Sequence, residues 1–422
     1  MVGAGREGRS FQAFCERFQL GHKSLTVVDQ LSGQSYLEPV LQVPVSDRII
    51  VKSSGVPPIA IPAVYTTPTV LFFEIARQCQ ARIVGVTGTK GKSTTTALIH
   101  AMLLEEGIEH DFGGNIGIPM LDLIDQIKPG RIAILELSSF MLHELRISPN
   151  LSVITNILVD HLDMHGSMQN YHEAKRNIVR FQGVSDFAVC LDSCSIVKEW
   201  VNLTPAQLRT VSNLVWQSTK APTLLGSHNQ QLAALAREAA NILGVSTAAM
   251  DRVLGSFRPL PHRLEFVGKR RGIIYINDSI ASQPDAAIAG ILAVQERFGG
   301  VGGLIVGGVD RGNDLGPLAQ AIVAASPKAV ALIGDTADLL LERIREPLLP
   351  RCAEKKSSMG DAVAWLEENC SAGDVILLAP GCPSYSLSGG RRSNSAWKNY
   401  EERGQAFRAA AQQDHSSGTL TL

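Results

Sequence analysis

A glycine-rich segment at residues 85–96, Gly-Val-Thr-Gly-Thr-Lys-Gly-Lys-Ser-Thr-Thr-Thr, constrains this chain more than any other. It follows an apolar pair and precedes the apolar stretch 97–104, which is the order of strand, tight turn and helix. Glycines let backbone N–H groups surround a phosphate, and a helix N-terminus adds partial positive charge. Lys92 can reach terminal phosphates, and Ser93 or Thr94 can hold a magnesium ion. The segment therefore predicts a nucleotide-binding loop.

Composition excludes several classes of protein. The 422 residues are enough for about two to four domains. A net charge of -1 gives no electrostatic footprint for nucleic acid. No apolar run approaches the ~18 residues needed to span a bilayer, so we expect no membrane insertion and a cytoplasmic location. Cys190 and Cys194 lie close together without a second cysteine pair, which favours reduced structural thiols over zinc.

The first part of the chain, residues 1–75, is predicted to be a small Rossmann-like domain. Gly3 to Gly8 matches the dinucleotide fingerprint, and Asp29 ends a predicted strand at the position where such folds bind a ribose hydroxyl. Only two residues precede the glycines, so we expect the first strand to be truncated.

Two further domains are predicted, at 76–259 and 260–422, with a polar tail. Apolar runs alternate with helical stretches in both, which indicates an α/β fold with buried parallel sheets. Two prolines near Arg258 to Pro261 mark the boundary. The predicted strands are at residues 132–135, 153–154, 273–276, 303–306, 329–333 and 374–378.

Polar motifs follow several of these strands, where open α/β sheets place ligands. Glu136 can hold magnesium or cap the next helix. His161 lies between two acids, a pattern that suits a divalent metal or an oriented imidazole, although lone histidines are more often structural. Arg263 can clamp a phosphate or belong to a surface linker. The segments 276–282 and 307–314 fit either ligand binding or turn chemistry.

Taken together, the motifs resemble those of the Mur ligases, in order and through almost the whole chain. The last of them, Lys-Asn-Tyr-Glu-Glu-Arg-Gly at 398–404, is typical of the family member that adds glutamate. The set comprises residues 88–93, 113–117, 136–139, 160–163, 171–175, 260–263, 277–279 and 398–404.

The resemblance implies three domains: an N-terminal Rossmann-like unit that binds UDP, a central P-loop ATPase-type parallel sheet and a C-terminal Rossmann-like domain. Lys92, Lys175, His161 and Glu136 would be catalytic, and Lys175 would carry a carbamate. The magnesium ligands would be Ser93, Glu136, His161 and the carbamylated Lys175. ATP would be bound by Gly88, Thr89, Lys90, Gly91, Lys92, Ser93, Thr94, Arg263 and Asp278.

The implied reaction joins D-glutamate to UDP-N-acetylmuramoyl-L-alanine through an acyl phosphate, in peptidoglycan precursor synthesis. ATP and Mg²⁺ are the implied cofactors, and we expect a monomer. The substrates would be contacted by Gly5, Arg6, Asp29, Asn115, Ser138, Arg311, Ser384 and Tyr400.

Departures from the family pattern leave alternatives open. Ile280 stands where a D-glutamate ligase has a lysine, so a ligase that adds L-glutamate is the first alternative. Leu232 replaces an asparagine that contacts adenine, and residues 386–396 form an insertion beside the predicted glutamate pocket. A folylpolyglutamate-synthase-like ligase shares the phosphate loop, and a binding module without turnover is a further alternative. A Rossmann dehydrogenase is the weakest alternative, because the phosphate loop would have no role in it.

Overall fold

The computed structural model describes residues 2–3, 5–19, 49–56, 65–160, 162–212, 223–345, 353–384 and 397–412. The chain divides into two compact units. The first comprises Met1–Lys220 and Gln231–Leu254, and the second comprises Ala221–Gln230 and Gly255–Leu422. Each contains one six-stranded sheet.

The sheet of the first unit is parallel throughout, with strand order β2-β3-β1-β4-β5-β6. Its inner strands are apolar and fully buried, as expected for a sheet that helices cover on both faces. The strands are β1 (Arg82–Thr87), β2 (His110–Gly114), β3 (Ile132–Glu136), β4 (Leu151–Ile154), β5 (Phe187–Leu191) and β6 (Gln207–Val211).

Helices connect these strands in the doubly wound manner. Two helices, α1 (Arg6–Arg17) and α2 (Pro68–Gln78), precede β1. The helices between the strands are α3 (Lys92–Glu106), α4 (Ser139–His143), α5 (Leu162–His165), α6 (Met168–Arg180) and α7 (Ser195–Asn202). After β6 come α8 (Ser227–Ile242) and α9 (Thr247–Ser256), and the division between the two units falls within each of them. A 3₁₀ helix spans Met120–Gln126.

The N-terminal segment has the predicted order of extended chain, glycine turn and helix. Val2 pairs in parallel with Lys52, and Val51 pairs in parallel with Thr66. Gly5 is the N-cap of α1, so the helix begins inside the predicted fingerprint. The predicted strand that ends at Asp29 lies outside the described residues.

The sheet of the second unit has the order β11-β10-β9-β12-β8-β7, and only β7 is antiparallel to its neighbour. Its strands are β7 (Glu265–Arg270), β8 (Ile273–Asn277), β9 (Gly303–Gly307), β10 (Ala329–Ile333), β11 (Ala353–Lys355) and β12 (Val375–Leu378). Its helices are α10 (Pro284–Phe298), α11 (Gly316–Ala325), α12 (Ala337–Arg345), α13 (Met359–Asn369) and α14 (Tyr400–Gln412).

The structure confirms the α/β class and the apolar strands predicted in both units. It adds the edge strands β2, β6, β7 and β11, which are too polar to stand out in the sequence, and the inner strand β5. Arg271 and Gly272, with φ of 50° and 83°, form the tight turn that joins β7 to β8. The division into three domains stays a prediction. In the part of the chain that the structure describes, no helix is both long and apolar enough to cross a bilayer.

Replacing Leu135 by alanine tests the core of the first sheet. Leu135 is completely buried in β3, so Leu135→Ala should lower the free energy of unfolding by about 2–5 kcal/mol, because it leaves a cavity. Leu203, which is 70% exposed in the same unit, is the control, and Leu203→Ala should change that free energy by less than about 0.5 kcal/mol. Urea denaturation measures both, and equal effects would contradict the assigned core.

Candidate active site

The loop between β1 and α3 has the geometry of a phosphate cradle. Gly88 and Gly91 have φ of 147° and 84°, which disfavours a side chain at either position. A Cβ on Gly88 would also overlap the hydroxyl of Thr155. Ser93 and Thr94 follow in the first turn of α3, where N–H groups have no acceptor within the helix and favour an anion.

Asn156, which follows β4, holds this loop in place. Its carbonyl accepts the N–H of Thr89 at 2.8 Å, and its side-chain oxygen accepts the N–H of Lys90 at 2.9 Å. None of the sequence motifs assigns a role to Asn156. Its position directly after a buried strand was the available signal.

Two lysines converge on one carbonyl of the loop. Lys92 Nζ donates to the carbonyl oxygens of Gly88 at 3.0 Å and Thr89 at 2.9 Å. Lys175 Nζ, from α6, donates to the same Gly88 oxygen at 2.8 Å. The phosphate loop therefore lies against two amines.

Lys175 is 2% exposed and its amine lies 4.9 Å from the centroid of the Tyr171 ring. Burial, with a smaller contribution from the charge of Lys92, moves the pKa of Lys175 well below its ordinary value. The carboxylates of Asp160 and Glu136 oppose this shift. A lowered pKa increases the fraction of neutral amine, which is the nucleophilic form.

Glu136 ends β3 and is 1% exposed. One carboxylate oxygen accepts the side-chain N–H of Asn115 at 2.7 Å, and the other is buried without a partner among the described residues. An unpaired buried carboxylate oxygen is costly, and a cation would satisfy it. The site thus fits a magnesium ion at this oxygen.

The predicted metal site is only partly described. His161 lies outside the described residues, and within the described ranges no three His, Cys, Asp or Glu side chains form a metal-binding group. Glu136, Lys175 and the phosphate loop are nevertheless brought together at the carboxyl edge of the sheet.

Two of the substrate residues predicted in the first unit, Arg6 and Asn115, lie at the loop that follows β2. The guanidinium of Arg6 donates to the carbonyl of Gly117. Gly5, which precedes Arg6 in the chain, is the N-cap of α1. Asn115 belongs to the same loop. Ser138 is the N-cap of α4, and its hydroxyl oxygen accepts the N–H of Met141 at 3.2 Å. Asp29 lies outside the described residues.

Leu232, the first departure inside this unit, packs on the phosphate loop. It is 6% exposed, and a Cβ on Gly91 would lie 2.7 Å from its Cδ1. The isobutyl group of Leu232 therefore covers the glycine that precedes Lys92, an apolar contact that leaves no polar group at this position.

The second unit places its predicted residues at the carboxyl edge of its own sheet. Asp278 follows β8, Arg311 lies in the exposed loop after β9, and Ser384 follows β12 and is 4% exposed. The loops of Arg311 and Ser384 touch, because Val309 N–H donates to the Pro383 carbonyl at 2.9 Å.

Tyr400 begins α14 and is held against the loop after β8. The hydroxyl of Ser279 donates to the Tyr400 carbonyl at 2.7 Å. Ile280 is half-buried, and its N–H donates to the carbonyl of His262 at 3.2 Å. The insertion at 386–396 lies outside the described residues.

Arg403, from the same terminal motif, is a residue that the sequence did not single out. It is completely buried, and it donates to the hydroxyl and carbonyl of Ser279 and to the carbonyl of Cys382. Its hydrogen bonds therefore join the loop that follows β8 to the loop that follows β12.

Asp278 gives the second unit a pH dependence. Burial raises its pKa to about 7, although the Leu264 N–H and the charge of Arg263 favour the carboxylate. The folded state therefore binds a proton that the unfolded state releases above about pH 4. We expect the free energy of unfolding to fall by about 2–3 kcal/mol between about pH 5 and pH 8.

Asp278→Asn should flatten this dependence, because asparagine does not titrate. The exposed Asp285 of α10 is the control, and Asp285→Asn should leave the dependence unchanged. Urea denaturation at the two pH values measures the difference, and a dependence that survives in Asp278→Asn would contradict the assignment.

Comparison with known proteins identifies two conserved domains in this chain. Residues 86–221 match the Mur ligase middle domain, and residues 262–382 match the Mur ligase glutamate ligase domain. The UDP-N-acetylmuramoylalanine--D-glutamate ligase of Acetivibrio thermocellus is 33% identical over 376 residues, which cover 81% of this chain and 76% of that protein.

Two solved structures share the fold. The UDP-N-acetylmuramoylalanyl-D-glutamyl-2,6-diaminopimelate--D-alanyl-D-alanyl ligase of Acinetobacter baumannii gives a TM-score of 0.61 at 16% identity, covering 87% of this chain and 86% of that one. The MurF ligase of Thermotoga maritima in complex with ADP gives 0.58 at 18% identity, covering 81% and 83%. With its two matched domains and its 33% identical relative, this chain belongs to the Mur ligase family and is an ATP-dependent amide ligase.

Proposed function

We propose that this protein joins D-glutamate to the lactoyl-alanine carboxyl end of UDP-N-acetylmuramoyl-L-alanine, with ATP converted to ADP and phosphate. The substrate pair follows the name of the Acetivibrio thermocellus relative. We place the reaction in the cytoplasm, as a step of peptidoglycan precursor synthesis, and we propose a monomeric enzyme.

One observation carries the proposal: the convergence of the Lys92 and Lys175 amines on the Gly88 carbonyl, beside a buried Glu136 oxygen that lacks a partner among the described residues. A phosphate loop alone fits many nucleotide-binding proteins. A buried carboxylate and a second buried amine at the same strand ends fit phosphoryl transfer in particular, where charge must be balanced at the γ-phosphate.

The reaction needs two substitutions. A carboxylate oxygen of the UDP-linked substrate attacks the γ-phosphorus, and the bond to the ADP oxygen breaks, which gives an acyl phosphate. The amine of glutamate then attacks the acyl carbon, phosphate leaves with the C–O electron pair, and the amine loses a proton. Lys92 and the N–H groups of the loop would balance the charge on the transferring phosphoryl group.

Magnesium would be held by Ser93, Glu136, His161 and a carbamylated Lys175, where it supplies charge neutralisation for phosphoryl transfer. The carbamate would form when the neutral Lys175 amine attacks CO₂: an N–C bond forms, one C=O electron pair moves to oxygen, and a proton is released. The lowered pKa of Lys175 supports this step because it provides the neutral amine.

At the other end of the reaction, Arg311, Ser384 and Tyr400 would surround the incoming glutamate. Ile280 favours a second candidate, a ligase that adds L-glutamate to the same substrate, because an isoleucine supplies no cation at a position where lysine is expected.

Phosphate release by the full chain tests the proposal. With ATP, magnesium and UDP-N-acetylmuramoyl-L-alanine, we expect release with D-glutamate and none with L-glutamate or without an amino acid. Release with the L form alone would favour the second candidate. Lys92→Met is the negative control, and no release from the unsubstituted protein with either enantiomer would contradict the ligase function.

Glu136→Gln tests the carboxylate. The amide keeps the size of the side chain and removes the charge, so kcat/KM should fall by about 100-fold and the magnesium concentration for half-maximal rate should rise. Glu109 has a side chain that is 79% exposed, and Glu109→Gln should leave both quantities unchanged. An unaltered magnesium requirement in Glu136→Gln would remove Glu136 from the proposed metal ligands.

A further inference from the structure

His165 is a buried histidine at the C-terminal end of α5 for which the motifs predict no role. Its side chain is 8% exposed, and its Nε2 lies 2.9 Å from the hydroxyl oxygen of Ser139. The ring stacks on Phe140, with 5.0 Å between centroids and 4° between planes. It also meets Tyr171 edge-on at 5.4 Å. The imidazole is thus fixed by contacts on several sides.

These contacts connect two parts of the candidate site. Ser139 directly follows Ser138, at the end of the segment that begins with Glu136. On the other side, the hydroxyl of Tyr171 lies 2.9 Å from the hydroxyl of Thr89 in the phosphate loop. His165 therefore lies between the strand end that carries Glu136 and the loop that would hold ATP.

The backbone of His165 is fixed as well. The side-chain amide of Asn170, in α6, donates to the His165 carbonyl at 2.9 Å. The same helix carries Lys175, and its N-cap is Ser167. A rigid ring on a fixed backbone loses little entropy when it orders a neighbour, so it suits the placement of the first turn of α4.

We propose that His165 is a positioning residue. Through Ser139 it holds the segment from Glu136 to Ser138 at a fixed place relative to the phosphate loop, so that the substrate carboxylate meets the γ-phosphate in line. The inference rests on the proposed function, because it concerns the alignment of that reaction's two substrates. Misalignment slows the chemical step more than it weakens binding, so kcat should fall while the KM for ATP stays constant.

A double-mutant cycle tests this. His165→Phe keeps the stacked ring and removes the hydrogen bond, and Ser139→Ala removes the partner. Each should lower kcat by about 10-fold, and the double variant should lose no more than either single one, because one contact is removed in all three. His165→Gln should restore part of the rate, since its amide can reach the Ser139 hydroxyl.

His100→Phe is the matched control. The ring of His100, on α3, stacks on Phe112 with 4.7 Å between centroids, and its Nδ1 lies 2.7 Å from Nε2 of His110. The same change of imidazole to phenyl should leave kcat unchanged there. A kcat for His165→Phe within about twofold of the unsubstituted protein, or losses that multiply in the double variant, would overturn the proposal.

The double-mutant cycle distinguishes a failure of this inference from a failure of the proposed function. An inactive unsubstituted protein would contradict the function, whereas the coupling between His165 and Ser139 is also measured in the free energy of unfolding. No coupling there would overturn the contact whatever the activity. If His165→Phe does not fold, Ser139→Ala and His165→Gln provide the same comparison, with low and restored kcat expected respectively.

Discussion

The site in the first unit depends on two hydrogen bonds that Asn156 accepts from the phosphate loop. Its two oxygens hold the N–H groups of Thr89 and Lys90, which aligns the loop with the end of β4. Gly88 then has no room for a side chain beside Thr155, and its carbonyl is available to the two lysines. A shift of this loop would displace Lys92 and the backbone N–H groups that would bind the γ-phosphate.

In both units the candidate functional residues follow the carboxyl ends of parallel strands, but their chemistry differs. In the first, the residues that follow β1 to β4 are suited to phosphate and metal chemistry. In the second, those that follow β8, β9 and β12 combine a buried acid, Asp278, with the exposed Arg311 and the buried Ser384. Because carboxyl ends of parallel strands share one edge, residues far apart in the chain become neighbours.

The sequence was most informative where backbone geometry restricts the residue type. The phosphate loop, the apolar strands and the end of β3 at Glu136 were predictable, since glycine turns and buried parallel strands leave strong patterns. β2, β6, β7 and β11 were missed because edge strands carry polar residues, and β5 was missed although it is apolar and lies inside its sheet. The roles of His165 and Arg403 arise from tertiary contacts, which no local pattern encodes. For Asn156 the sequence shows only that the residue follows a buried strand, and its bonds to the phosphate loop appear in the structure alone.

The shared carbonyl of Gly88 has a consequence for the energetics of nucleotide entry. The ammonium of Lys92 donates to the carbonyl oxygens of Gly88 and Thr89, and the amine of Lys175 shares the first of these oxygens. A phosphate oxygen that binds Lys92 must therefore compete with backbone carbonyls as well as with water. The net stabilisation from that contact is smaller than its strength in isolation, because one hydrogen bond of the ammonium replaces another.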